Sequence, residues 1–355
     1  MALALALGRR GLGRTSPNPA VGAVLVKDSV VVGRGWTQPG GRPHAEVEAL
    51  RRAGTGALGA TLYVTLEPCS HYGKSPPCAD AVIAAGLRRV VSALEDPNPE
   101  VAGAGHARLR AAGIAVDVGV GADEARRDHA GHIRRMRDGR PNVMLKLAIS
   151  ADGKVAGAGR RPIAITAEAV RDRVHLLRAQ SDAIMIGIGT AIADDPLLTC
   201  RLPGMEKYSP VRIVLDSELR LPPASRIVAS ARQTPVWAVT GRAAPRTAEM
   251  VLAAFGVGVV RLGRDGVRLD LAAALRLIAE RGITRLMVEG GPTLAASLIA
   301  ADLVDEAILF HAPTIVGPDG VEALETRALS TLTGALKHIS SEPVGADRQD
   351  IYARG

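Results

Sequence analysis

Strand-forming and helix-forming runs alternate along this chain, stop once near residue 140, and start again. No other feature restricts the possible folds so tightly, because each helical run has to cover a sheet made by the strands around it. "VGAVLVKDSVVVGRGW" reads as two β-rich runs around the polar turn Lys27-Asp28-Ser29, a hairpin. "HAEVEALRRAG" is a helix stopped by Gly54, "ATLYVTLEP" a strand, and "PPCADAVIAAG" a helix with proline at its start and Gly86 at its end. "LRRVVSALED" and "IAVDVGV" are strands flanking the helix "GHARLRAAG", and a basic helix over residues 122–138 closes the unit. The order ββαβαβαβα describes a three-layer α/β domain over residues 1–140. "DGRPNV" then has the punctuation of a linker, and a second α/β domain, residues 141–355, starts at "VMLKLAIS" and runs on to "VDEAILFHAP".

A chain of 355 residues is comfortable for two such domains. It holds two Phe, two Trp and four Tyr, so its cores must be built from Ala, Val, Leu and Ile. The net charge of +8 comes from arginines spread along the chain rather than clustered, and stacking platforms are scarce. That balance suits small phosphorylated substrates and argues against a nucleic-acid partner. "MALALALGRR" reverses the charge order of a signal peptide and reads as the first helix. No apolar run is long enough for a membrane span, and three cysteines, an odd number, point to a reducing cytoplasm rather than a disulfide framework.

Three metal-ligand side chains stand in the first domain. His44 opens one helix, Cys69 ends the strand before a loop, and Cys78 opens the next helix. Strand ends and helix starts cluster at one edge of an α/β sheet, so the three can converge on one zinc ion. Zinc suits one imidazole and two thiolates, and three protein ligands leave a fourth position for water. Glu46, two residues past His44, can reach a metal lying off the helix end and move protons for that water. A purely structural zinc site would close the fourth position and would have no use for Glu46. His71, on the loop between the cysteines, is read as a non-ligand because the set is already complete.

The joined motifs "PHAEVEAL" and "VTLEPCSHYGKSPPC" resemble the zinc nucleoside and nucleobase deaminases. Eight residues separate the cysteines here, and with "TSPNPAVGAVLV" and "EDPNPEVAGAG" the first domain is similar to the pyrimidine deaminases of riboflavin biosynthesis. The resemblance implies a cytidine-deaminase-like fold, Asn18 in contact with the substrate, and Lys74 as a contact for its phosphate.

The second domain lacks the glycine fingerprint of a dinucleotide-binding Rossmann unit. "LMVEGGPTLAASLI" offers instead a strand, two glycines and a helix whose free N–H groups can hold a phosphate. Together with "LKLAISADGK", "LRAQSDAIMIGIGTAIADDPLLTCR" and "RIVLDSELRLP" it resembles the riboflavin-pathway reductases, which implies a dihydrofolate-reductase-like fold that uses NADPH. By that resemblance Ala148, Thr190, Asp194, Ser217, Gly291, Pro292, Thr293 and Leu294 line the cofactor, and Arg178, Leu198, Arg201 and Glu289 face a phosphoribosyl substrate. Lys146, costly in the apolar strand "MLKLAIS" without a task, also binds the substrate, and with Asp194 it serves proton delivery and orientation. Pro162 and Ala164 stand where the family has Ser and Trp, which raises the alternative of an impaired reductase. Cys200 reads as a buried free thiol, and His129 and His132 as part of a solvated helix face.

Together the two resemblances imply a bifunctional deaminase and reductase with one Zn²⁺ and NADPH. It would act on a small phosphoribosyl pyrimidine in the cytoplasm, as a homo-oligomer (dimer or tetramer), with no nucleic acid or membrane partner. A nucleic-acid-editing deaminase is the rival of another class.

Overall fold

Asp28 and Ser29 both adopt left-handed φ, 49° and 64°, and so close a two-residue turn between β1 (Gly22–Lys27) and β2 (Val30–Trp36). That hairpin is one edge of a five-stranded sheet ordered β2-β1-β3-β4-β5, with β3 (Thr61–Val64), β4 (Arg89–Ser92) and β5 (Ala115–Val118). β1 is antiparallel to both neighbours, and β3, β4 and β5 are mutually parallel. The computed structural model describes residues 1–73, 75–263, 269–324 and 326–354, and these form two compact units, Met1–Arg140 and Pro141–Gly355.

In the first unit, successive residues of β1 face opposite layers. Leu25 points into a core with Ala45 and Ala49 of α2 (Ala45–Ala53) and Ala79 of α3 (Cys78–Ala84), and Leu109 of α4 (Ala104–Ala111) joins it. Val24 points the other way, against α1 (Ala2–Gly8). Two glycines decide how closely α2 approaches. A Cβ on Gly35 would lie 2.1 Å from the Ala45 carbonyl oxygen, and one on Gly33 would lie 2.4 Å from that of Ala49. Only bare backbone admits the helix at this depth.

Two expectations fail here. The basic run is not one helix but two, α5 (Ala122–Asp128) and α6 (Ala130–Asp138), hinged at His129. Nor is its histidine face solvated: His129 and His132 are only 2% and 9% exposed. His129 Nε2 lies 3.0 Å from Thr65 Oγ1, and His132 Nε2 lies 2.9 Å from an Asp96 carboxylate oxygen, so polar partners inside the unit draw both rings in. β3 also stops earlier than the apolar run suggests, because Glu67 turns inward to accept backbone N–H groups.

The second unit carries a nine-stranded sheet ordered β11-β10-β9-β8-β12-β6-β13-β16-β15. Its strands are β6 (Asn142–Ile149), β8 (Ala183–Gly187), β9 (Val211–Leu215), β10 (Val236–Thr240), β11 (Val257–Arg261), β12 (Arg285–Val288), β13 (Glu306–His311), β15 (Lys337–Val344) and β16 (Asp347–Ala353). A separate two-stranded sheet pairs β7 (Lys154–Ala156) with β14 (Val321–Glu322). All neighbours from β11 to β13 are parallel, and β16 and β15 add an antiparallel edge. Val143, Leu145 and Leu147 of β6 face α11 (Leu271–Glu280), α12 (Pro292–Ala300) and α13 (Thr326–Ala335). The opposite face packs against α7 (Glu168–Ala179), α9 (Arg226–Ala229) and α10 (Arg246–Ala254). Among the described residues Phe310 is the one buried aromatic, as the composition requires.

The strand order reverses between β8 and β6. From β8 the chain steps outward through β9, β10 and β11, then returns to lay β12 between β8 and β6. Such a switch point leaves a crevice at the carboxyl ends of the strands. α8 (Ile188–Asp194) and the Glu289–Pro292 turn lead away from that crevice.

Candidate active sites

His44 is the N-cap residue of α2, with extended backbone (φ −68°, ψ 160°), and its ring makes no capping hydrogen bond. The imidazole is therefore free to face the cysteines. Cys69 follows β3 after the inward turn at Glu67, whose carboxylate accepts N–H groups of Asp96, Gly103 and His106 at 3.0–3.1 Å. Cys78 is the first residue of α3, and its backbone N–H donates to Cys69 Sγ at 3.3 Å. A helix N-terminus thus points at a sulfur, an arrangement that favours thiolate.

His44 Nδ1 lies 3.7 Å from Cys69 Sγ and 3.3 Å from Cys78 Sγ. Zn–S bonds of about 2.3 Å and Zn–N bonds of about 2.0 Å at a tetrahedral centre give N–S edges of about 3.5 Å, within about 0.2 Å of both distances. The donor types and spacings fit zinc. The thiols also share a proton unevenly: the hydrogen bond from Cys78, with help from His44, pulls Cys69 down to about 4, while its bond to Cys69 and burial push Cys78 up. His71 is exposed and lies outside this group. A second grouping, Glu67, Glu95 and His106, has its central carboxylate already occupied by three N–H donors.

Glu46 sits in the first turn of α2, 3% exposed, with its carboxylate beside the Cys78 sulfur. Burial, partly opposed by His44, pushes it up to about 7, the range of a group that both takes and gives protons near neutrality. Asn18 Nδ2 donates to the carbonyl of Gly41, three residues before His44, at 2.8 Å. Lys74 lies outside the described residues.

In the second unit a cavity of about 240 Å³ opens at the switch point. Of the sequence-predicted residues, Lys146, Ala148, Thr190, Asp194, Glu289, Gly291 and Pro292 line it. Thr190 Oγ1 accepts the Gly291 N–H at 3.1 Å and so ties α8 to the turn before α12. Glu289 is gripped at two points by Arg178, Nε to Oε1 at 2.7 Å and Nη2 to Oε2 at 2.9 Å, with Lys146 Nζ 3.9 Å away. Burial alone would raise the Glu289 carboxyl, but Arg178 and Lys146 hold it down to about 2. Burial lowers Lys146, which turns it toward proton donation, and raises Asp194. Arg178 also donates to the Thr199 carbonyl at 3.1 Å.

Other predicted residues stand back from the cavity wall. Leu198 (φ 56°) and Leu294 are buried in the two cores, and Arg201 is exposed. Ser217 accepts the Thr240 hydroxyl through its carbonyl, and Thr293 follows Pro292 in the first turn of α12. Cys200 is a buried free thiol. Sequence reasoning missed Arg160, which lines the cavity, and His175, whose Nδ1 lies 3.2 Å from the Thr199 carbonyl. Arg160 lies in a glycine-rich loop with no motif, whereas His175, one turn before Arg178, could have been found by helical spacing.

Residues 1–94 match the model of the cytidine and deoxycytidylate deaminase zinc-binding region, and residues 141–348 match that of the RibD C-terminal domain. The riboflavin biosynthesis protein RibD of Escherichia coli K12 is 44% identical over 95% of this chain and 91% of its own length. The chain belongs to the RibD family. The Aquifex aeolicus RibD is 42% identical over 89% of this chain and 87% of its own. Among solved structures, Acinetobacter baumannii RibD superposes with a TM-score of 0.87 at 36% identity, covering all of this chain and 97% of its own. A Thermotoga maritima deaminase/reductase gives 0.86 at 32% identity with the same coverage. As a RibD protein the chain is a zinc-dependent deaminase fused to an NADPH-dependent reductase of riboflavin biosynthesis. Among the described residues no helix is long and apolar enough to cross a membrane.

Proposed function

We propose that the first unit hydrolytically deaminates 2,5-diamino-6-(5-phosphoribosylamino)pyrimidin-4-one and that the second reduces the ribosyl group of the product to ribityl. The observation that carries this reading is Glu46, buried beside one imidazole nitrogen and two sulfurs spaced as tetrahedral ligands. His44, Cys69 and Cys78 would hold the zinc. When bound, zinc supplies a Lewis acid that makes water a nucleophile near neutral pH. Glu46 takes the proton of the attacking water and returns it to the departing amine, so water and the aminopyrimidine leave as a carbonyl and ammonia. Asn18, fixed by Gly41, orients the ring.

In the reductase cavity Ala148, Thr190, Gly291 and Pro292 hold the cofactor, with Thr293, Leu294 and Ser217 behind them. When bound, NADPH supplies hydride. Lys146 Nζ delivers the accompanying proton to the ribosyl oxygen, and Asp194 orients the sugar. Glu289 keeps Arg178 and Lys146 in place, while Arg201 and the Leu198 loop complete the substrate side. Two phosphate-bearing ligands suit the net charge of +8, and the cysteine usage supports a cytoplasmic protein. The test supplies the diaminopyrimidine substrate with and without NADPH and follows ammonia and cofactor absorbance. Ammonia in both samples, with NADPH consumed in the second, is expected. Ammonia without NADPH oxidation sinks the reductase assignment, and absence of ammonia sinks the substrate.

A further inference from the structure

Of the cations at the reductase cavity, two are already engaged. Glu289 holds Arg178 in a two-point pair and Lys146 within 3.9 Å. Arg160 lines the same cavity, is exposed, and makes no ion pair or side-chain hydrogen bond among the described residues. Its backbone is unusual as well. Gly159 and Arg160 both have φ of 65°, so two successive residues turn left-handed just beyond β7. Glycine takes that conformation freely, but a long side chain does so at a cost.

The corner is held in place by its surroundings. The Gly157 N–H donates to the Arg161 carbonyl at 2.9 Å, and β7 is tied to β14 by the pairing of Lys154 with Glu322. A non-glycine residue kept left-handed at the rim of a ligand cavity is where backbone strain and function coincide.

We infer that Arg160 binds a phosphate monoester of a ligand in the reductase cavity and sets specificity for the phosphorylated form. The inference rests on the reductase reading of this cavity. A guanidinium presents a fork that matches the oxygens of a phosphate dianion. Two ligands of the reaction carry such a group: NADPH at the 2′ position of its adenosine ribose, and the pyrimidine at its ribosyl 5′ position. Arg160 is a binding residue and has no part in the hydride or proton steps.

The experiment measures binding to the full chain by fluorescence titration, independently of turnover. NADPH is compared with NADH, and the phosphoribityl pyrimidine product with its dephosphorylated form. Arg160→Gly is the informative variant, because glycine suits the left-handed corner and removes the side chain without straining the backbone; Arg160→Lys restores a cation. At least one phosphorylated ligand should lose about tenfold in affinity in Arg160→Gly, its unphosphorylated counterpart should not change, and lysine should recover part of the loss. The affected pair identifies which phosphate is bound. Equal effects within each pair, or none, overturn the inference while leaving the reductase reading intact. If the unaltered chain binds neither NADPH nor the pyrimidine, both fall together.

Discussion

Glu46 and Glu289 are both buried carboxylates, and their surroundings drive them in opposite directions. Around Glu46 burial dominates and lifts it to about 7. Around Glu289 two cations outweigh burial and hold it at about 2. One is therefore suited to carry protons and the other to stay charged. Glu46→Gln should keep the zinc ligands and their metal but lower deamination by about 10²–10⁴-fold, with zinc content read by atomic absorption and turnover by ammonia. Normal turnover in that variant removes Glu46 from the proton path. The folded Glu289 carboxyl lies below the ordinary 4.5, so its ionised form adds stability above about pH 4.5 and loses it as pH falls toward about 2. Glu289→Gln should cost about 3 kcal/mol at pH 7, since it leaves Arg178 and Lys146 short of a buried partner. In unfolding curves the gap from the unaltered chain should close below pH 4.5. A gap independent of pH would falsify this account of the carboxylate. At this scale the convergence of His44, Cys69 and Cys78 was legible because His, Cys and Glu are rarely placed in such spacing without chemistry. Arg212 was not. It sits in the apolar stretch "VRIVLDS", fully buried, with its guanidinium donating to the Leu197, Ser230 and Thr234 carbonyls. Local sequence holds no sign of partners so distant along the chain.

The elements themselves followed from periodicity, but their depth and their breaks did not. A 3.6-residue repeat marks α2; only the bare backbone at Gly33 and Gly35 tells how far α2 sinks onto the hairpin. That depth matters to the site because α2 carries both His44 and Glu46. In Gly35→Ala the new Cβ meets the Ala45 carbonyl at 2.1 Å, a backbone atom that cannot turn aside. The helix must lift, and the variant should lose about 1–3 kcal/mol of stability together with most of its zinc. Retention of full zinc content and a native melting temperature would show that α2 is not positioned by this contact. The same limit on reading sequence explains His129 and His132. Their arginine-rich neighbours suggest solvent, and only the tertiary positions of Thr65 and Asp96 reveal why the rings turn inward. Glu67 belongs with them. Next to "PC" it looks like part of the metal motif, yet it serves as a backbone acceptor that fixes the turn into Cys69. Glu67→Ala should weaken zinc retention by about 10–100-fold in competition with a chelator, as loss of groups that orient metal ligands does.

Across the whole chain, every proposed zinc ligand falls between residues 44 and 78, and every residue lining the reductase cavity falls between 146 and 321. Each unit has its own sheet and its own core. The alternation of strands and helices, with its one interruption, already implied that division. It could not show the switch point at β8, because strand order depends on which parallel neighbours pair, and that is settled by packing rather than by local pattern. The separation has a direct consequence for metal removal. Exhaustive chelation should abolish ammonia release, because the proposed ligands His44, Cys69 and Cys78 lose their ion. It should leave NADPH oxidation within about twofold when the deaminated pyrimidine is supplied directly, since metal coupling to folding acts only on the unit that holds the ligands. Re-addition of zinc should restore ammonia release without altering the reductase rate. If chelation halts both activities even when the intermediate is supplied, the second unit depends on the first, and the division of labour drawn from the two cores is wrong.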